Sequence, residues 1–171
     1  MAAYPATLVH EYRLADGRSV VIRPIRPDDA AAERAFLDRL SNATKRWRFM
    51  KLAQSLDAEL LHYLTDVDYE RHMAFVCEAG NTLVGDARYV ANPDGRSCEL
   101  GIVIADDWHH TGVAQLLMDA LLGAARAAGL KRVEGIVLAD NRDMLDFTQE
   151  LGFEASSGPE GSGTVRIAKS L

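Results

Sequence analysis

The chain has 171 residues, enough for one domain with a core of its own. Nineteen Lys and Arg against 25 Asp and Glu leave a formal charge of −6, which argues against a nucleic-acid binder and mildly favours a cationic partner. Two cysteines, Cys77 and Cys98, make no disulfide framework and read as buried thiols in apolar runs. No run is apolar and long enough to cross a membrane, and Met1 to His10 has no signal-peptide pattern, so a cytoplasmic protein is expected.

Met1 to His10 carries no strong pattern. Tyr12 to Arg23 reads as a hairpin turning at Asp16-Gly17. After Pro24 and Pro27, Asp28 is the expected N-cap of a helix over Asp29 to Leu40. Ser41 and Asp57 are expected caps for helices over Asn42 to Met50 and Ala58 to Leu64. Three antiparallel strands follow: His72 to Glu78, Leu83 to Val90 and Cys98 to Ile104, with turns at Gly80-Asn81 and at Asn92 to Gly95. A long helix ends near Ala128, with Gly129 at C′. A strand over Arg132 to Leu138, a helix over Asn141 to Leu151 and a strand from Phe153 come next. The Ser/Gly-rich stretch Ser156 to Gly163 reads as a loop, and Thr164 to Ala168 as the last strand. The order is that of an α+β layer fold with a mixed sheet, in one domain over residues 1–171.

The chain is organised around Glu99 to Ala128. An apolar run, Leu100 to Ala105, leads through Asp106-Asp107-Trp108-His109-His110-Thr111-Gly112 into a helix with apolar residues at Val113, Leu116, Leu117, Ala120 and Leu121. A strand, a tight loop and a helix start leave backbone N–H groups free in the first turn, which suits a phosphate. Gly112 and Ala114 let it approach closely.

Asp107-Trp108-x-x-x-Gly112-x-Ala114 resembles the acyl-CoA pyrophosphate loop of the GNAT family of N-acetyltransferases, with His109 where Gln or Arg is usual. Asn141-x-x-Met144-Leu145-x-Phe147 and Leu151-Gly152-Phe153 resemble that family's last helix and its ending. Val21 to Asp29, and Leu40-Ser41 with Arg46, Arg48 and Phe49, are similar to the GNAT domain of bacterial protein-lysine acetyltransferases. The resemblance implies a mostly antiparallel sheet with helices on both faces and a splayed strand pair that takes acetyl-CoA. It implies contacts to that co-substrate from Val103, Ile104 and Ala105, from His109, His110, Thr111, Gly112, Val113 and Ala114, and from Asn141.

Glu99 is the only carboxylate between Gly95 and Ala105. A carboxylate on a central strand needs a reason: either a salt bridge, with Arg88 or Arg96, or a general base for an amine. The resemblance favours the base. Thr148 stands where many members carry a Tyr acid, so the proton donor is open. No metal-ligand spacing is present; His109 and His110 are adjacent and point apart. The expected activity is acetyl transfer from acetyl-CoA to a primary amine, a protein lysine or a small amine, by a monomer or homodimer. The alternative is a non-catalytic acyl-CoA-binding module.

Overall fold

The computed structural model describes residues 2–49, 57–159 and 163–171. Its eight strands form one sheet in the order β1-β2-β3-β4-β5-β6-β8-β7. They are β1 (His10–Arg13), β2 (Ser19–Pro24), β3 (His72–Ala79), β4 (Thr82–Ala91), β5 (Ser97–Ile104), β6 (Arg132–Leu138), β7 (Glu154–Ser157) and β8 (Thr164–Ser170). Among the described residues only β5 and β6 are parallel neighbours. A parallel pair needs a crossover, and α4 (Val113–Ala127) supplies it. The other helices are α1 (Ala30–Arg39), α2 (Asn42–Phe49), α3 (Ala58–Thr65) and α5 (Arg142–Glu150). This is the mixed, mostly antiparallel sheet that the resemblance implied.

Local chemistry sets the helix starts. Asp57 accepts from Leu60 N–H at 2.8 Å, and Ser41 Oγ from Thr44 N–H at 3.2 Å, so both expected caps form. Asp28 does not cap α1. Pro27–Asp29 is a 3-10 turn, and Asp29 adjoins the helix. Its carboxylate is instead pulled inward by Arg23, which bonds both its oxygens at 2.8 Å, and by Arg26 N–H at 2.7 Å. A buried arginine outcompetes a solvent-facing cap. Ser156 and Ser157 belong to β7 rather than to the expected loop, while Met50 and residues 160–162 fall outside the described residues.

The core lies where α4 packs on β3, β4 and β5. Val113, Leu117, Met118 and Leu121 are fully buried in one cluster with Phe75 and Tyr89, and each such side chain contributes about 1.5–3 kcal/mol. Gly85 lets α4 come this close: a Cβ there would stand 2.7 Å from Leu117 Cδ1 and 3.2 Å from Ile104 Cδ1. That contact puts Ile104 on the α4 face, with Ile102 and Leu100 by alternation. Glu99, Gly101 and Val103 face the other way, as do Arg88 and Asp86, the register partners of Gly101 and Val103. Cys77 and Cys98 are buried, and desolvation pushes both thiols up to about 12.

On the α1/α3 side, a buried ion cluster joins helix to sheet. Arg88 grips Asp86 with two nitrogens, donates to Leu64 O at 2.9 Å, and lies 4.0 Å from Glu33 and 3.1 Å from His72 Nε2. Removing the cation takes the positive charge away from two buried carboxylates. Arg88→Ala should therefore lower unfolding free energy by about 3–5 kcal/mol in urea titrations. A loss below about 1 kcal/mol would mean the cluster is solvated.

Candidate active site

The sheet is forked at its centre. β5 and β6 pair only at Ser97↔Arg132, Cys98↔Val133 and Glu99↔Glu134. Beyond Glu99 the strands part, and a cavity of about 950 Å³ opens between them. Its walls include Leu100 to Ile104 of β5, Gly135 to Val137 of β6, Gly112, Ala114 and Gln115 at the start of α4, and Asn141, Met144 and Phe147.

Register decides which backbone groups face the fork. Asn92 N–H donates to Ser97 O, and Ala105 N–H donates to Val84 O at 2.8 Å. Antiparallel strands alternate direction residue by residue, so Glu99, Gly101 and Val103 direct their backbone groups to β4, as Ala105 does its N–H, while the Ala105 carbonyl accepts from Trp108 N–H. Leu100, Ile102 and Ile104 direct theirs into the fork. This corrects the sequence expectation for Val103 and Ala105: their amides belong to the β4 ladder. Val103 still lines the cavity, and Ala105 does not. From β6, the same alternation, set by Ala139 N–H to Gly163 O, turns Ile136 toward β5.

The loop before α4 has a defined shape. Gly112 takes φ +97°, left-handed backbone that a Cβ would strain, and the space beside it is open. The first-turn amides of α4 have no helical carbonyl to bond. Thr111 turns inward and donates to Trp108 O at 2.7 Å, and Val113 is buried in the core, so neither side chain lines the cavity. His109 and His110 do line it. His109 Nε2 lies 3.0 Å from Ile104 O, tying the ring to the strand end. His110, at φ +61°, is largely exposed, with Nε2 3.7 Å from Asp143. Arg18 stacks on Trp108 at 3.8 Å, fixing the loop to the β1–β2 turn.

Glu99 stands at the fork's apex, on the last paired row and exposed to solvent. Neither expected salt bridge forms. Arg88 is spent on the buried cluster, and Glu99 has no ion pair among the described residues. Asn141 caps α5, accepting from Met144 N–H at 3.3 Å, and also lines the cavity. Thr148 is buried and donates to Met144 O and Leu145 O, so its hydroxyl is held inside its own helix. Among the described residues no group of His, Cys, Asp and Glu could hold a metal ion.

Sequence reasoning missed the strap over the fork. Asp106, following β5, accepts from Ser41 N–H, Ser41 Oγ and Thr44 Oγ1 at 2.6–2.9 Å. Burial opposes its charge, but these donors hold its carboxyl below the usual carboxylate range. Asp140, following β6, accepts from Arg46 at 2.9 Å and from Trp47 Nε1 at 3.2 Å. So α2 spans the mouth, with Thr44 and Trp47 in the cavity wall. The bonding partners are about 60 to 95 residues apart in sequence, and no local pattern reveals them.

Comparison with known proteins adds lineage to this geometry. Residues 19–154 match the family described as an acetyltransferase (GNAT) domain. An acetyltransferase of Pseudomonas aeruginosa is 39% identical over 156 residues, which is 89% of this chain and 84% of that protein. The crystal structure of the GNAT domain of S. lividans PAT superposes with a TM-score of 0.92 at 26% identity, covering 99% of this chain and 100% of that one. The yncA protein of Salmonella typhimurium, solved with its cofactor acetyl-CoA, shares the fold at a TM-score of 0.72 and 16% identity, over 89% of this chain and 94% of its own.

The two anchors of α2 differ in burial, and so should their effects. Asp106→Ala leaves the buried Thr44 hydroxyl without its acceptor, at a cost of about 1–3 kcal/mol. Hydrogen exchange of residues 42–49 should speed up. Asp140→Ala removes an exposed contact and should hardly change global stability, while shifting Trp47 emission. Unchanged exchange in Asp106→Ala would mean that packing alone holds α2.

Proposed function

The chain belongs to the GNAT acetyltransferase family, and on that premise we propose that residues 1–171 act as one catalytic domain moving an acetyl group from acetyl-CoA to a primary amine. The observation that carries the reading is the fork: pairing stops at Glu99↔Glu134, and Leu100, Ile102 and Ile104 turn backbone groups into the gap. An extended arm carrying amides can pair there as a strand would. From Ile104 back to Glu99 is five residues, roughly 17 Å of strand, a span suited to a pantetheine arm. At one end the α4 N-terminus and Gly112 suit a pyrophosphate. At the other stands Glu99.

The chemistry follows from that order. An amine such as lysine has a pKa near 10.4 and arrives protonated at neutral pH. Glu99 takes the proton, directly or through one water. The free amine attacks the thioester carbon, and a fork-facing amide stabilises the oxygen as charge builds. The C–S bond breaks, and the departing thiolate takes a proton from solvent, since Thr148 is committed within its helix. The net charge of −6 and the exposed carboxylate at the apex suit a cationic acceptor, and a protein lysine fits both.

Two substitutions test the two ends. Gly112→Asp should sharply weaken acetyl-CoA binding in calorimetric titration. Gly112→Asn, which tolerates left-handed backbone and adds no charge, should weaken it less. Equal affinities in folded variants would remove the pyrophosphate assignment. Glu99→Gln should lower turnover at pH 7 by about 10²-fold or more with acetyl-CoA affinity nearly unchanged, and the deficit should shrink toward pH 10 as free amine accumulates. Tight acetyl-CoA binding with no turnover on any amine, peptide lysines included, would instead support the binding-module reading.

A further inference from the structure

Two glycines flank the apex, Gly101 on β5 and Gly135 on β6, each within two residues of the last paired row, Gly101 on the Glu99 face of the sheet and Gly135 on the Leu100 face. A glycine weakens a strand interior, and where one persists a ligand or another chain segment often passes close by. Neither has a positive φ, so the backbone does not demand them. What distinguishes Gly135 is what surrounds its missing side chain. A Cβ built there would stand 3.4 Å from Ile167 Cγ1, 3.5 Å from Ile167 Cδ1 and 3.5 Å from Leu100 Cγ. Ile167 is its register partner on β8, and Leu100 lies across the fork on β5. All three residues line the cavity. One methyl at Gly135 would touch both neighbours at ordinary contact distance and plug the gap between them.

We propose that Gly135 is the residue that sets acyl-chain length, the gap between Leu100 and Ile167 being the pocket for acyl carbons beyond the acetyl methyl. The inference rests on the acyl-CoA reading of the fork. With the thioester carbonyl at the apex beside Glu99, a longer chain must leave the strand plane, and Gly135 is the open apolar exit. A propionyl group is therefore accepted alongside acetyl, its one extra carbon taking the methyl-sized gap over Gly135, whereas butyryl carries one carbon too many. The transfer is the same in each case: the N–C bond forms, the C–S bond breaks, and the proton lost by the amine is balanced by the one gained by the thiolate. Apolar walls without polar side chains favour a saturated acyl group over a charged one such as succinyl, whose carboxylate would be desolvated unpaired.

The test is a binding ladder of CoA, acetyl-CoA, propionyl-CoA and butyryl-CoA, titrated calorimetrically into the wild-type chain, Gly135→Ala and Ile167→Val, with melting curves for each. Propionyl-CoA should bind the wild-type chain within about 10-fold of acetyl-CoA, and butyryl-CoA more weakly than either. In Gly135→Ala the acetyl-over-propionyl preference should grow by about 10-fold or more, the usual effect of one carbon in an apolar pocket. Ile167→Val should move it the other way. A ladder of the same shape in all three proteins, with CoA binding intact, overturns the inference alone. Failure of CoA itself to bind the wild-type chain overturns both the inference and the reading beneath it. A shifted ladder in a protein that acylates no amine upholds the inference and defeats the catalytic reading.

Discussion

The early end of pairing between β5 and β6 is the constraint around which the rest is arranged. A sheet gains by extending its ladder, and these strands run in parallel register for three rows before parting. The crossover α4 stays packed on β3, β4 and β5 and does not follow β6 outward. Gly85 fixes this choice, because its missing side chain lets Leu117 settle onto β4 and carry the helix to the β5 side. On its other flank β6 is held by a full seven-residue ladder to β8. Each strand thus belongs to a different half-sheet, and the gap is what remains between two well-paired halves.

Buried charge stabilises the arrangement from behind. Asp86 and Arg88 lie directly across from Val103 and Gly101, so the ion cluster backs the strand that walls the fork. Arg23 and Asp29 do similar work at the entry to α1. Buried ion pairs rarely add net stability over apolar packing, but breaking one is costly. Their effect here is to hold α1 and α3 in place over β4.

Much of this was legible in the sequence, and the limits are instructive. The strand, loop and helix from Leu100 to Ala128 could be read because each carries a local signal: β-branched run, glycine break, helical spacing. The caps at Ser41 and Asp57 likewise need only neighbours. Asp28 misled because the residue that decides the helix start, Arg23, acts from another strand. Of the expected trio Val103, Ile104 and Ala105, only Ile104 turns its amide to the fork, for a related reason. Which residues turn toward β4 is set by register, and a slip of one residue reverses every assignment. Asp106 and Asp140 carry no local signal of their part in the strap, because their partners lie on a helix far back in the chain.

The strap formed by α2 has one more consequence. An open fork is an edge-strand hazard placed in the middle of a sheet: Leu100, Ile102 and Ile136 present backbone groups that any extended peptide could satisfy. Sheet margins are usually guarded by lysines, prolines or bulges, but such devices here would also bar a legitimate strand-like guest. Laying α2 across the mouth, tied to Asp106 and Asp140, guards by width instead. A second polypeptide with side chains on both faces would meet Trp47 and Thr44, which line the mouth. The same cavity can thus stay hungry for one partner without becoming a seed for aggregation.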